Sequence, residues 1–496
     1  MVYRKRNKSQ LTLDDFILPF GGKLKADNRW VHFSRMIPWD YIEDIYVKSM
    51  CEDNGAGTIS SRIAFGAMFI KGYAKLTDEE TVEYITENPY AQYFLGLHEF
   101  DQEPLFDPSM MVYFRRRFPS DTIDIINRRM FEQKANDKHD GAGGTTGSDD
   151  AGNNGAKDAG PDEETPQNHG ELLLDATCAP ADIRYPSDIS LLNEARENTE
   201  RYIDKIWESS NRHGHKTGYH RNKAHSEYLR IAKQKQPRAR KLHTAIGKQL
   251  IYVKGNIDTL GELLAEAGAA DKLGDRALTR ITDICRIHRQ QQMMWATQSR
   301  KCENRIVSLR QPHVRPIVRG KLGKKYEFGQ KIALSVVSGY TFIEKQSFDN
   351  FNEGTGLITG VERYRKTYGY YPEAVMADKI YRNRENLEYC AKRGIRLSGP
   401  KLGRPRKNAN PDRKTELSDL IKRIDIEGRI GTAKRRFNMD LIMAYLKETA
   451  MTEAGIKVLC MNARVKLFLF FSLRKWVRVH FLYQIFVRRY AFSPAL

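Results

Sequence analysis

The stretch ANDKHDGAGGTTGSDDAGNNGAKDAGPDEETPQNHG, residues 135–170, sets the first limit on how this chain can fold. It is rich in Gly, Asn, Asp and Ala and has almost no apolar mass to offset the entropy lost when a backbone is ordered. It reads as a disordered linker over 135–169. The chain of 496 residues therefore divides into an N-terminal part, 1–134, and a longer C-terminal part, each large enough for a core.

The N-terminal part reads as all helical. DYIEDIYVK (40–48), Ser60 to Tyr73 and DEETVEYIT (78–86) carry apolar residues three and four apart, with Asp78 as the expected N-cap of the last. In FDPSMMVYFRRRFP, Ser109 is the candidate cap of a short helix that Pro119 stops. Arg115, Arg116 and Arg117 make its end strongly basic, suited to a DNA backbone or to the negative end of the helix dipole.

After the linker, GELLLDAT reads as a strand. A polar, basic region of long amphipathic helices follows, about 189–309. KIALSVVSGYTFIEKQSFD reads as a β-hairpin turning at Ser338-Gly339, GLITGVERYRKTYG as a helix, YPEAVMAD as a strand, and KIYRNRENLEYCAKRG as a helix. The order is that of an α/β protein with a mixed sheet, interrupted after its first strand. Residues 465–496 form a basic, aromatic segment whose apolar runs are cut by Arg and Lys far below the roughly 18 residues of a membrane span.

The net charge of +20, spread from Arg4 to Arg489, points to a polyanionic partner, with nucleic acid first. Six cysteines without a CxxC pair and an N-terminus without a signal peptide fit a reducing cytoplasm. Nucleotide-binding, hydrolase and dehydrogenase fingerprints are absent, and His213, His215, His220 and His225 follow no zinc spacing.

Two apolar strands each run straight into a carboxylate, at Asp175 and Asp378. Strand-end aspartates often only cap turns. In an open α/β sheet, however, ligands gather at the carboxyl ends of the strands, so two such residues converge if their strands are neighbours. In DLIKRIDIEGRIGTAKRRF, Arg423, Glu427 and Lys434 are four and seven residues apart and share one helical face. Gly428 and Gly431 in the same helix leave room for another backbone to approach. Arg315 and Arg319, in the extended QPHVRPIVRGK, suit phosphate contact. Arg404 and Arg406, in GPKLGRPRKN, resemble a minor-groove-binding loop.

These motifs resemble the DDE transposases of bacterial insertion sequences, in the group with a Y-x2-R-x3-E-x6-K signature. DEETVEYITENPYAQYFLGL and FDPSMMVYFRRRF resemble that group's N-terminal helical domain. LLLDATCAPADIRYPSDISLLNEARE, QPHVRPIVRGK and ADKIYRNRENLEYCAKRGIRLSGPKLGRP resemble its core blocks. The signature Tyr position holds Leu420.

The resemblance implies a helical DNA-binding domain at 1–134 and an RNase-H-like catalytic domain at 170–464, with the helical insertion inside it. Asp175, Asp378 and Glu427 would hold two Mg2+ (or Mn2+) ions, and Arg423 and Lys434 would bind phosphates. The expected partners are double-stranded DNA, as element ends and target, and a second copy of the chain. No membrane or small-molecule substrate is expected, and the place of action is the nucleoid. A metal-dependent nuclease without strand transfer, or a DNA-binding protein without activity, are the alternative readings.

Overall fold

The computed structural model describes residues 12–18, 21–50, 58–132, 167–209, 220–266, 268, 270–321, 324–399 and 413–490. The linker as far as residue 166, His213, His215, Arg404 and Arg406 lie outside these residues. Among the described residues, the α-helices of the N-terminal part are α1 (Arg29–Met36), α2 (Trp39–Val47), α3 (Ser61–Ala74), α4 (Asp78–Glu87), α5 (Pro89–Phe94), α6 (Met110–Arg117) and α7 (Ser120–Phe131).

Two caps differ from the sequence reading. Thr77, not Asp78, caps α4, in a reciprocal capping box with Glu80. Asp78 is thereby free to accept both guanidinium nitrogens of Arg115, at 2.8 Å each, and Lys71 at 2.7 Å. At α6 the Ser109 hydroxyl makes no cap bond; Asp107 accepts from the Ser109 N–H at 2.9 Å instead.

Strand β1 (Glu171–Pro180) leads into four helices, α8 (Asp188–Ser209), α9 (Arg221–Ala232), α10 (Ala239–Leu264) and α11 (Asp275–Ala296). They pack largely on one another, through clusters such as Leu192, Val253, Ile284 and Ile287. Strands β2 (Arg315–Lys321), β3 (Lys324–Val337) and β4 (Tyr340–Ser347) follow. Then come α12 (Leu357–Tyr368), β5 (Ala374–Met376), α13 (Arg384–Lys392), β6 (Arg396–Leu397), α14 (Arg413–Phe437) and α15 (Lys447–Tyr490).

The β3–β4 turn has φ of 49° at Ser338 and 83° at Gly339. Both are positive, as the tight hairpin turn matched to strand twist requires. The helix expected over KIYRNRENLEYCAKRG is split. Lys379–Tyr381 form a 3-10 turn, and Asn383 starts α13 by accepting from the Asn386 N–H at 2.8 Å.

The six strands form one mixed sheet. β1 is antiparallel to β3 and parallel to β5, which is parallel to β6; β2 and β4 both pair antiparallel with β3. A single apolar core runs from Trp30, Phe65 and Phe114 through Ile332 and Phe342 to Leu459 and Leu467. The N-terminal helices and the sheet are therefore joined by the buried half of α15, not held as separate cores. Among the described residues no helix is long and apolar enough to cross a membrane.

A buried polar knot locks this junction. Asn462 of α15 donates to Thr341 O at 2.7 Å and Asn127 Oδ1 at 2.9 Å, and accepts from the Thr341 N–H at 2.9 Å. Asn462→Leu keeps the volume but strands these partners. Urea denaturation is expected to show a loss of about 2–4 kcal/mol, the cost of more than one buried unsatisfied group.

Candidate active site

The alternation of β1 decides which side chains meet. Leu172 and Leu174 pack under α12, where Gly360 lies against them. Leu173 points to the opposite face and is buried with Val336, Ala374, Met376 and Ile426 of α14. Two residues on, Asp175 shares the Leu173 face. In the parallel pairing Leu173 lies opposite Met376, and Asp378 stands two residues beyond Met376. The two aspartates thus emerge at the same level on neighbouring strands.

α14 crosses this face. Ile426 and Ile430 press on the sheet, Lys422 pairs with Glu171, and Arg423, Glu427 and Lys434 lie along the same side of the helix. The Arg423 guanidinium stands 3.7 Å from Asp378 Oδ1 and 3.4 Å from Glu427 Oε1. Glu427 and Asp378 are 59% and 52% exposed, open to an incoming ligand. Lys434 is half-buried further along the helix.

The Asp175 carboxyl has a raised pKa. Burial is the main cause of its rise to about 6; the Ala176 N–H bond opposes it, Glu353 and Asp378 add repulsion, and Arg423 partly offsets them. Its Oδ1 accepts the Ala176 N–H at 2.8 Å. Asp378 accepts from the Lys379 N–H at 2.6 Å, which caps the 3-10 turn.

The site also includes residues that no local sequence pattern marks. Glu353, in the polar loop NEGTG, is held by Lys331 at 2.8 Å and repels Asp175. Tyr381 is buried beside it, its hydroxyl pKa raised by burial first and then by Glu353, Asp175 and Asp378.

The donors are hard carboxylate oxygens gathered around an excess of negative charge, a set that suits Mg2+ or Mn2+. As arranged, the positive charge between Asp378 and Glu427 comes from Arg423. Among the described residues no three His, Cys, Asp or Glu side chains stand together as a ready-made metal cage.

The other candidates fare differently. Arg115 is 6% exposed and committed to Asp78, and Arg117 donates to Tyr46 and Thr58. Their cluster is therefore structural, with only Arg116 on the surface. Arg315 donates to the carbonyl of Val314 at 3.1 Å and, more closely, to that of Pro312. Arg319 lies on β2. Of the histidines, His225 faces Glu197 at 3.7 Å. A Cβ at Gly428 would meet nothing within 4 Å, and one at Gly431 only Arg435, so neither glycine serves a close approach within the described chain.

A transposase DDE domain family matches residues 375–464, and a transposase domain family (DUF772) matches residues 19–117. The first match takes in Asp378, Arg423, Glu427 and Lys434. An uncharacterised protein of Rhizobium meliloti, ORF8 in the nfe locus, is 24% identical over 211 residues, which is 42% of this chain and 83% of that protein. No solved structure matches.

Two stability outcomes follow. Asp175 has a raised folded-state pKa, so its burial destabilises the protein above pH 6, and the penalty fades as pH falls from about 6 toward 4. At about 1.36 kcal/mol per pKa unit, Asp175→Asn is expected to gain of the order of 2–3 kcal/mol at pH 8 and almost nothing at pH 4, read by denaturation at both pH values. Gly428→Ala, in an open helical position, is expected to gain about 1 kcal/mol, read as a rise in thermal midpoint.

Proposed function

Because the chain is an insertion-sequence DDE transposase, an enzyme that cleaves DNA and transfers its strands, we propose that Asp175, Asp378 and Glu427 form its catalytic triad. The observation that carries this is the register. Equal two-residue steps from the Leu173–Met376 pair bring Asp175 and Asp378 to one level, and Arg423 links Asp378 to Glu427 from α14.

The reaction is displacement at phosphorus, with water as nucleophile in cleavage and a DNA 3′-hydroxyl in strand transfer. Asp175, Asp378 and Glu427 would together hold the two divalent ions. Mg2+ or Mn2+, when bound, stabilises charge on the entering and leaving oxygens. Arg423 then exchanges its carboxylate contacts for oxygens of the reacting phosphate. Lys434 binds a phosphate further along the strand. Tyr381 and the apolar layer of Leu173, Met376 and Ile426 close the floor against water.

The mixed sheet is read as RNase-H-like, with β1 as its first strand and α8–α11 inserted after it. We place its limits at 170–464, following the helical domain at 1–134 and the linker, with 465–496 as a C-terminal segment. The N-terminal helices and the basic insertion would recognise the terminal inverted repeats of the element. Two copies would act together on the two ends, in the nucleoid.

Purified protein, DNA carrying the element's ends and a target plasmid test this in Mg2+. Asp175→Asn, Asp378→Asn and Glu427→Gln are each expected to lower cleavage and joining by about 100-fold or more, the scale of losing one group that stabilises transition-state charge. Three variants that cut as well as the parent would refute the assignment. Cleavage without joined product would limit the chain to a nuclease.

A further inference from the structure

Among the described residues, a group of cations without ion pairs lies away from the carboxylates. Arg29 at the start of α1, Lys75 at the end of α3, Arg435 and Arg436 at the end of α14, and Arg464 of α15 line one cleft of about 730 Å3. Among the described residues no Asp or Glu contributes to its lining. Among the described residues none of the five cations is ion-paired, whereas Arg115, Arg128, Arg196 and Arg396 are all held by carboxylates.

Five uncompensated cations around one concavity repel one another, and an anion relieves that repulsion. Tyr73 and Tyr84 form the aromatic side of the cleft, with Arg29 placed 5.9 Å from the Tyr73 ring centroid.

Lys75 supplies a separate sign that the charge is wanted there. It has φ of 64° and ψ of 41°, the left-handed C-cap conformation that favours Gly or Asn. A lysine held there costs backbone strain that Gly would remove. Its Nζ donates to the Arg435 carbonyl at 2.9 Å, fixing the α3 wall to the α14 wall while leaving two donors unused.

The cleft lies on the helix that carries Glu427. Arg435 is eight residues further on, about 12 Å along the axis at ~1.5 Å per residue. At ~3.4 Å of strand per phosphate, that is three to four phosphates away.

We propose that this cleft is a phosphate-binding site for one DNA strand, a few nucleotides from the reacting phosphate. The strand would be clamped between the N-terminal helices and the ends of α14 and α15. This rests on the transposase reading but not on the chemistry assigned to the carboxylates.

The test is binding of a labelled oligonucleotide, single-stranded and duplex, to the full chain in EDTA between about 50 and 200 mM salt. Arg29→Gln/Arg464→Gln and Arg435→Gln/Arg436→Gln each remove two contacts. Each pair is expected to reduce the slope of log K against log salt by about 1.4 for the single strand or 1.8 for duplex. The corresponding Lys pairs should restore it, and unchanged thermal midpoints would show that the variants fold. Lys392→Gln, on an exposed Lys–Glu pair of α13, should leave the slope as it is.

Unaltered slopes in both double variants would overturn the proposal. So would displacement of the oligonucleotide by inorganic phosphate beyond the effect of chloride at equal ionic strength, which would give the cleft to a free anion. Because binding is read without metal, failure here and failure of the cleavage assay are separate results.

Discussion

An apolar contact fixes where the three proposed catalytic carboxylates stand. Leu173 and Met376 lie side by side on adjacent parallel strands, and Ile426 presses on both from α14. Strand side chains alternate between faces, so a slip of one residue in β5 would turn Asp378 to the opposite side from Asp175. A slip of one turn in α14 would carry Glu427 about 5.4 Å along its axis. Burial of these three side chains therefore holds the carboxylates in place. The neighbouring Lys422–Glu171 pair fixes the same helix from its edge.

Two carboxylates in this chain show how differently charge can be used. Asp78 is surrounded by Arg115 and Lys71, and its pKa falls below the ordinary value: burial opposes this, but the Arg115 and Lys71 contacts prevail. It joins α3, α4 and α6 and is chemically spent. Asp175 is half-buried with one backbone donor and two carboxylates near it, and its pKa rises. A folded chain retains such a group only where the rest of the structure over-determines it, and that imbalance is what a divalent cation would relieve.

Much of this could be read from the sequence because the relevant patterns are local. Apolar runs ending on Asp175 and Asp378, the spacing of Arg423, Glu427 and Lys434, and the Ser338-Gly339 turn each depend on a few neighbouring residues. What could not be read depends on distant partners. Arg115 looked like a DNA contact because its ion pair with Asp78 joins residues 37 apart. Glu353 sits in an unremarkable loop and matters only because Lys331 and Asp175 face it. The basic cleft draws on α1, α3, α14 and α15, and no single one of those segments is basic enough to announce it. At Gly428 the sequence does not say what the space is for, since a helical glycine looks the same whether a neighbouring backbone fills it or, as among the described residues, it stays open.

The knot at Asn462 also governs the order in which the protein can mature. Asn127 and Asn462 are 335 residues apart, and α15 supplies apolar side chains to the same core as α3 and α7. At a synthesis rate of about 5–20 residues per second, the N-terminal helices wait of the order of tens of seconds on the ribosome before their last packing partner emerges. Until then Phe65, Phe114 and Ile123 lack part of their final cover. A truncated product ending before α15 would therefore expose a sticky apolar face, making it a substrate for chaperones and proteases rather than a smaller working protein.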